Sequence, residues 1–336
     1  MTNKYSAVLA IIFIAFFGIA CDSVTTTEAP KVITLIADES GFGDMSFNYS
    51  GKLGIEKLQE DYDISVVLKT VGIDGTASQL IAKSASYSDL TICLGYTFAN
   101  DLDSIAAYYP ARLFSIIDFQ FPYKRGNINS SRFDVKQATY PIGYLAAGVL
   151  HNTNQNYKIG FIGGEDTEEI NQFLTGFARG INRYDSLNYR KTELLVNYVD
   201  SYSDSAKCYQ MAKEMIAQGV KILFPPAGKS GLGAFAAAKE SGAYAIGYDV
   251  DCAEVLPNFK DIILTSCIKR IDNAVYSVAE YYLKNGIIQP VPYFGNFKNQ
   301  GVAIAPINST IELISDSLKL QINEIVNGII NRSIVI

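Results

Sequence analysis

Apolar runs of strand length alternate with stretches of helical period along most of the chain. The run "KVITLIA" begins at Lys31 and is followed by a segment with Ile55, Leu58 and Tyr62 on one helical face. The strand-like runs "ISVVLKTV", "LTICLGY" and "RLFSIID" come next. After "PIGYLAAGVL" the pattern restarts at "KIGFIGG", passes through a helix carrying Phe173, Phe177 and Ile181, and reaches "ELLVNYV". A helix with Cys208, Met211 and Met215 on one face follows, then "KILFP", a helix from Gly233, and the runs "YAIGY" and "IILTSCI". Strands that are apolar on both faces and alternate with helices predict an α/β fold with parallel sheets covered on both sides. The restart near Tyr157 predicts two similar lobes, with "KVITLIADESGF" and "KIGFIGGEDTEE" in corresponding positions.

Ligands of such sheets bind beyond the carboxyl ends of the strands, and clefts between domains are favoured sites. The polar residues just after strands are Asp44 and Asn48, Asp118, the glycine loop "AGKSGLG" and Asp249, and Lys269 closes the last strand. A single strand-end Asp ordinarily caps a helix or forms a turn. It is the recurrence at successive strand ends, in both lobes, that points to a site. The loop "GDMSFNYS" also sets Phe47 between a carboxylate, Asp44, and a carboxamide, Asn48, where a helix begins.

The amino terminus reads as an address. Lys4 precedes the apolar stretch Ala7 to Ala20, which is too short to span a bilayer comfortably and suits the apolar segment of a secretory signal. Gly18 and Ala20 just before Cys21 resemble a bacterial lipoprotein signal, in which that cysteine is lipidated. Residues 1–20 are therefore expected to be a signal peptide and 21–30 a lipidated tether. The expected location is the bacterial cell envelope, anchored to a membrane and facing the periplasm or the surface.

Composition removes several classes of function. A chain of 336 residues, 49% hydrophobic, can bury a large core. A net charge of -6 with no basic block excludes a nucleic-acid partner, because phosphate neutralisation needs clustered Lys and Arg. His151 is the single histidine, which excludes a His-rich metal site, and neither metal nor cofactor is expected. Cys93 and Cys208 read as buried thiols, and Cys252 with Cys267 is the one pair worth testing for a disulfide. Enzyme motifs fail as well. In "AGKSGLG" the residue five before Gly228 is Leu223, so there is no P-loop, and Leu232 stands where a nucleophile elbow needs glycine. No catalytic set is expected.

Taken together these segments resemble the basic membrane protein (Bmp, or PnrA-like) family of lipoproteins that serve ABC importers as substrate-binding components. "GDMSFNYS" resembles the family's opening motif and supplies Asp44, Phe47 and Asn48, with Met45 and Tyr49 departing from the usual residues. "LGYTFANDL", "YYPARLFSIID" and "SRFDVKQATYPIGYLAAG" follow in the family's order, as do "FLTGFARG", "FPPAGKSGLGAFAAAKE", "AIGYDVD" and "TSCIKRIDNAV". The resemblance implies a type I periplasmic-binding-protein fold: two doubly wound lobes, a hinge of crossing strands and a ligand cleft between them. The expected lobes are 31–150 plus 272–300, and 151–271 plus 301–336.

Nucleoside-binding members hold a purine between two aromatic rings. Carried over by motif, the resemblance implies Phe47 and Phe173 (or Phe177) as the rings and Asp118 as acceptor from the base. It implies Asn48, Asp249 and Lys269 on the ribose, backbone near Gly231 completing the shell, and an ABC permease and ATPase as partners. Two alternatives stay open: a riboflavin-binding component, and a surface adhesin on the same fold.

Overall fold

A computed structural model describes residues 29–152, 157–308 and 311–336. The expected signal peptide, the lipidation site Cys21 and nearly all of the tether lie outside the described residues. Lys31–Ile336 folds as one unit, and Ala29 and Pro30 before it are exposed.

In chain order the elements are β1 (Lys31–Ala37), α1 (Phe47–Asp61), β2 (Ile64–Thr70), α2 (Ala77–Tyr87), β3 (Leu90–Leu94) and α3 (Ala99–Tyr108). β4 (Leu113–Ile117), β5 (Ile128–Phe133), α4 (Lys136–His151), β6 (Lys158–Gly163), α5 (Glu168–Asn188) and β7 (Glu193–Tyr198) follow. Next are α6 (Ser205–Ala217), β8 (Val220–Phe224), α7 (Gly231–Ser241), β9 (Tyr244–Asp249), α8 (Cys252–Val255) and β10 (Ile263–Lys269). The last are α9 (Ile271–Asn285), β11 (Tyr293–Gly295), β12 (Val302–Ile304) and α10 (Asp316–Ile330).

The strands form two six-stranded sheets, ordered β11-β5-β4-β3-β1-β2 and β12-β10-β9-β8-β6-β7. Every pairing is parallel except that of β12 with β10. This is the two-lobed α/β architecture that the alternating pattern predicts. Central strands such as β3 are buried at every position, which is why they read as unbroken apolar runs. Helix α5 starts where the Thr167 side chain accepts from the Ile170 amide, with Glu168 and Glu169 favourably placed in its first turn. Its buried stripe includes Ile170, Phe173, Phe177 and Ile181.

The chain crosses between the sheets at one edge of each: from β5 into α4, from β10 into α9, and from β11 to β12. These crossings are tied together. The Asp134 amide donates to the Gly295 carbonyl at 2.8 Å, and the Arg270 amide to the Gly301 carbonyl at 3.0 Å. A Cβ on Gly301 would stand 2.3 Å from the Gly295 Cα, so the crossing needs glycine there.

Some elements depart from the sequence reading. β5, "INSSRF", is buried despite Asn129, Ser130 and Ser131, and apolar patterning passes over it. Helix α4, which the expected division at residue 150 grouped with the first lobe, packs instead on α5 and α10 and against β10 and β12. It is buried on all sides from Ala138 to His151, as a helix enclosed by other elements must be. Helix α7 starts at Gly231 rather than Gly233. Cys93, Cys208, Cys252 and Cys267 are all free and buried, so no disulfide joins Cys252 to Cys267.

Candidate functional site

The loop after β1 is organised by Asp44. Its carboxylate accepts from the amides of Ser46, Asn48 and Tyr49 at 3.0, 2.9 and 2.9 Å, and thereby caps α1. Burial nevertheless outweighs these bonds and pushes its pKa up to about 6. With the loop held, Phe47 opens the helix and Asn48 turns inward, fully buried. The Asn48 Nδ2 donates to Asp38 Oδ1 at 2.9 Å, and its Oδ1 has no partner within the protein.

Two aspartates stand at corresponding strand ends, Asp118 just after β4 and Asp249 at the end of β9, each the fourth strand of its half of the chain. Both have left-handed backbones, with φ 64° and 61°. Non-glycine residues in that region are uncommon and concentrate at functional sites. Between them lies Lys269, whose Nζ donates to Asp118 Oδ2 at 2.7 Å and stands 4.0 Å from Asp249 Oδ1. Burial alone would push the Lys269 ammonium down; the Asp118 and Asp249 charges more than offset it and hold the pKa above its usual value. Asp249 is raised, chiefly by burial, although Lys269 and the hydroxyl of Ser46, 2.5 Å away, act in the opposite direction.

The same ammonium is ringed by aromatics. It lies 5.3 Å from the Phe47 ring centre, 4.9 Å from that of Phe173 and 5.9 Å from that of Phe133. Such contacts contribute about 0.5–2 kcal/mol each, more when desolvated. Phe47 and Phe173 both line a cavity between the two sheets with about 610 Å³ of non-atom space, its open mouth included. Only about 70 Å³ of it admits the centre of a water-sized sphere, so the cavity is a narrow slot.

The slot is rich in acceptors. Asp38, Asp44, Asp118, Glu169 and Asp249 line it, against one cation, Lys269. Burial raises Asp38 and Glu169 as well. Such a wall suits a flat, uncharged ligand with several N–H and O–H donors and disfavours an anion. Among the described residues no group of three His, Cys, Asp or Glu is placed to hold a metal ion.

Residues 31–336 match the family model described as Bmp, ABC transporter substrate-binding protein PnrA-like. The chain belongs to this family. Its members are substrate-binding proteins rather than enzymes. Basic membrane protein A1 of Borrelia garinii subsp. bavariensis is 28% identical, the match covering 99% of this chain and 96% of that protein. Basic membrane protein A of Borreliella burgdorferi is also 28% identical, over 99% and 95%. An uncharacterized lipoprotein of Pyrococcus furiosus is 28% identical over 83% of this chain and 71% of its own. The crystal structure of an ABC transporter solute-binding protein from Aeropyrum pernix K1 superposes with a TM-score of 0.83 at 22% identity, covering 91% of this chain and 93% of that one. That likeness shows the fold: two lobes of the periplasmic-binding-protein type.

The structure brings Asp44, Phe47, Asn48, Asp118, Phe173, Asp249 and Lys269 to one slot. Two expected residues fall elsewhere. Phe177 lies one turn further along α5 and is fully buried against Phe224, 4.9 Å between ring centres, away from the slot. Gly231 begins α7 against Tyr248, whose hydroxyl would stand 2.0 Å from a Cβ there; Gly228 lines the slot in its place. Sequence reasoning missed Asp38, Tyr96, Glu169 and Tyr202. Asp38 follows β1 as Asp118 follows β4, so the strand-end rule was sufficient to find it. Tyr96 and Tyr202 also follow strands, β3 and β7, but a tyrosine there reads as a continuation of the apolar run.

Proposed function

We propose that this protein captures purine nucleosides in the slot and delivers them to an ABC permease and ATPase. The observation that carries the reading is the pairing of Phe47 and Phe173 around the Asp118–Lys269–Asp249 group inside a narrow cavity. A purine between the rings gains stacking of about 0.5–1.5 kcal/mol per ring beyond area burial. Asp118 then accepts from the base edge, while Asn48, Asp249 and Lys269 face the ribose. The ribose diol suits Asp249, since a carboxylate accepts from both hydroxyls. The excess of carboxyl groups supports a nucleoside over a nucleotide.

We also propose a membrane anchor on Cys21. Relatives named as lipoproteins support this, together with the signal-like stretch before that cysteine. Labelling cells with a fatty-acid analogue should tag the wild type and spare Cys21→Ser. Isothermal calorimetry with adenosine, guanosine, inosine and riboflavin tests the ligand. Saturable binding of at least one nucleoside, recovered intact, is expected; binding of riboflavin alone would overturn the nucleoside reading.

A further inference from the structure

The bonds that close the cleft farthest from the crossings take no part in the ligand set above. The crossings sit at the edges carrying β5 and β11 in one sheet and β10 and β12 in the other. Strands β1 in the first sheet, and β6 and β7 in the second, lie toward the opposite edges. Residues that follow these strands, and β3 beside them, meet across the cleft. The Tyr96 hydroxyl donates to the Glu165 carboxylate, and the Ser40 hydroxyl donates to the Tyr202 carbonyl at 3.2 Å. That carbonyl also accepts from the Ser230 amide at 3.1 Å, which ties it to the start of α7. Burial and the bond to Glu165 raise the Tyr96 pKa, so its hydroxyl remains a donor at physiological pH.

These groups separate two spaces. On one side is the slot; on the other is an outer groove with about 760 Å³ of non-atom space, whose lining includes Glu39, Glu165 and Asp200. Asp38, Ser40, Thr97 and Tyr202 line both. Ser40 and Tyr202 therefore stand in the wall between slot and groove, with Tyr96 on its slot side and Glu165 on its groove side.

We infer that Tyr96–Glu165 and Ser40–Tyr202 form a latch on the cleft's far side, which must part before ligand leaves and so sets its residence time. The inference rests on the substrate-binding reading and not on the ligand's identity. Opening about the crossings separates atoms in proportion to their distance from them. The latch bonds are thus among the first lost on opening and the last remade on closure. Ligand enters the open form, in which the latch is unmade, so association does not depend on it.

Stopped-flow measurement on the full chain, following tyrosine fluorescence with inosine as ligand, tests this; the chain has 22 Tyr and no Trp. Tyr96→Phe and Glu165→Ala should each raise the dissociation rate about tenfold and leave association within twofold, since a hydrogen bond to a charged group is lost. The double variant should dissociate no faster than the faster single one. Glu165 lines the outer groove and not the slot, so its effect is not loss of a ligand contact. Tyr209→Phe, which removes a surface bond to Glu240 within the second lobe, is the control and should change nothing. Unchanged dissociation in both latch variants overturns the latch. If the wild type binds no nucleoside, that failure belongs to the ligand reading. Stopped-flow release of riboflavin, followed by flavin fluorescence, then decides the latch: faster release from both variants supports it and unchanged release overturns it.

Discussion

Lys269 and Asp118 stand 151 residues apart in the chain and 2.7 Å apart in the fold, one on each lobe. The pair holds the Asp118 carboxylate in place and keeps the adjoining Asp249 compensated. Removing the cation leaves two buried carboxyl groups facing one another. Lys269→Met is expected to cost about 3–5 kcal/mol of stability at neutral pH. The loss should shrink toward acid pH, because Asp249, already raised by burial, takes up a proton there. Urea unfolding at pH 5 and pH 7.5 measures both values, and equal losses at the two would contradict the assignment. Asp118→Asn in the same background should recover part of the stability.

Asp44 makes a separate pH prediction. Its folded pKa of about 6 exceeds the ordinary 3.8, so the folded state binds the proton more tightly than the unfolded state. Stability from this group is greatest below its unfolded pKa, falls as pH rises from about 4 to 6, and is level above that. Asp44→Asn removes the titration; its carbonyl can still accept from the Ser46 and Tyr49 amides, and the loss of the Asn48 bond lowers stability equally at every pH. The variant's stability relative to wild type should rise by about 3 kcal/mol across that window. Denaturation midpoints at pH 4, 5, 6 and 7.5 would show it; a constant difference across all four would refute the shift.

Phe173 and Phe177 should separate binding from stability. Phe173→Ala removes a slot ring and should weaken every nucleoside. Phe177→Ala empties the packing against Phe224 and should cost about 3–5 kcal/mol of stability, with affinity within a factor of two at temperatures where it stays folded. Calorimetry and thermal melts on both variants suffice. Loss of affinity in Phe177→Ala alone would exchange their roles.

Asp118 and Asp249 should fail differently. Asp118→Asn replaces one acceptor with a donor at the base and should reorder the preference among adenosine, guanosine and inosine. Asp249→Ala should weaken all ribonucleosides about ten- to a hundredfold and erase the preference over deoxyribonucleosides, since the partner lost is a hydroxyl. A calorimetric panel of paired ribo- and deoxyribonucleosides checks both.

Much of this architecture was legible in one dimension. Strands β1, β3, β4, β6, β8, β9 and β10 announce themselves because parallel strands buried on both faces are predominantly apolar. Asp118 and Asp249 could be found because strand ends are where such sheets bind ligands, and Phe47 because a ring in a polar loop is out of place. β5 escaped notice because its Asn129, Ser130 and Ser131 are buried by position rather than by hydrophobicity.

Periodicity records which positions are buried and is silent about what they are buried against. Phe173 and Phe177 occupy one stripe of α5, four residues apart, and nothing local ranks them; the depth of α5 against the cleft decides that only Phe173 reaches the slot. Helix α4 is apolar all round, and only its packing shows that it belongs with α5 and α10. The joining of Lys269 to Asp118, and of Tyr96 to Glu165, depends on two sheets closing over one another. The chain by itself determined the strands, the helices and the chemistry available at their ends. The tertiary structure alone decided which of those ends meet, because distance in the fold is set by sheet order and crossing geometry and not by separation along the chain.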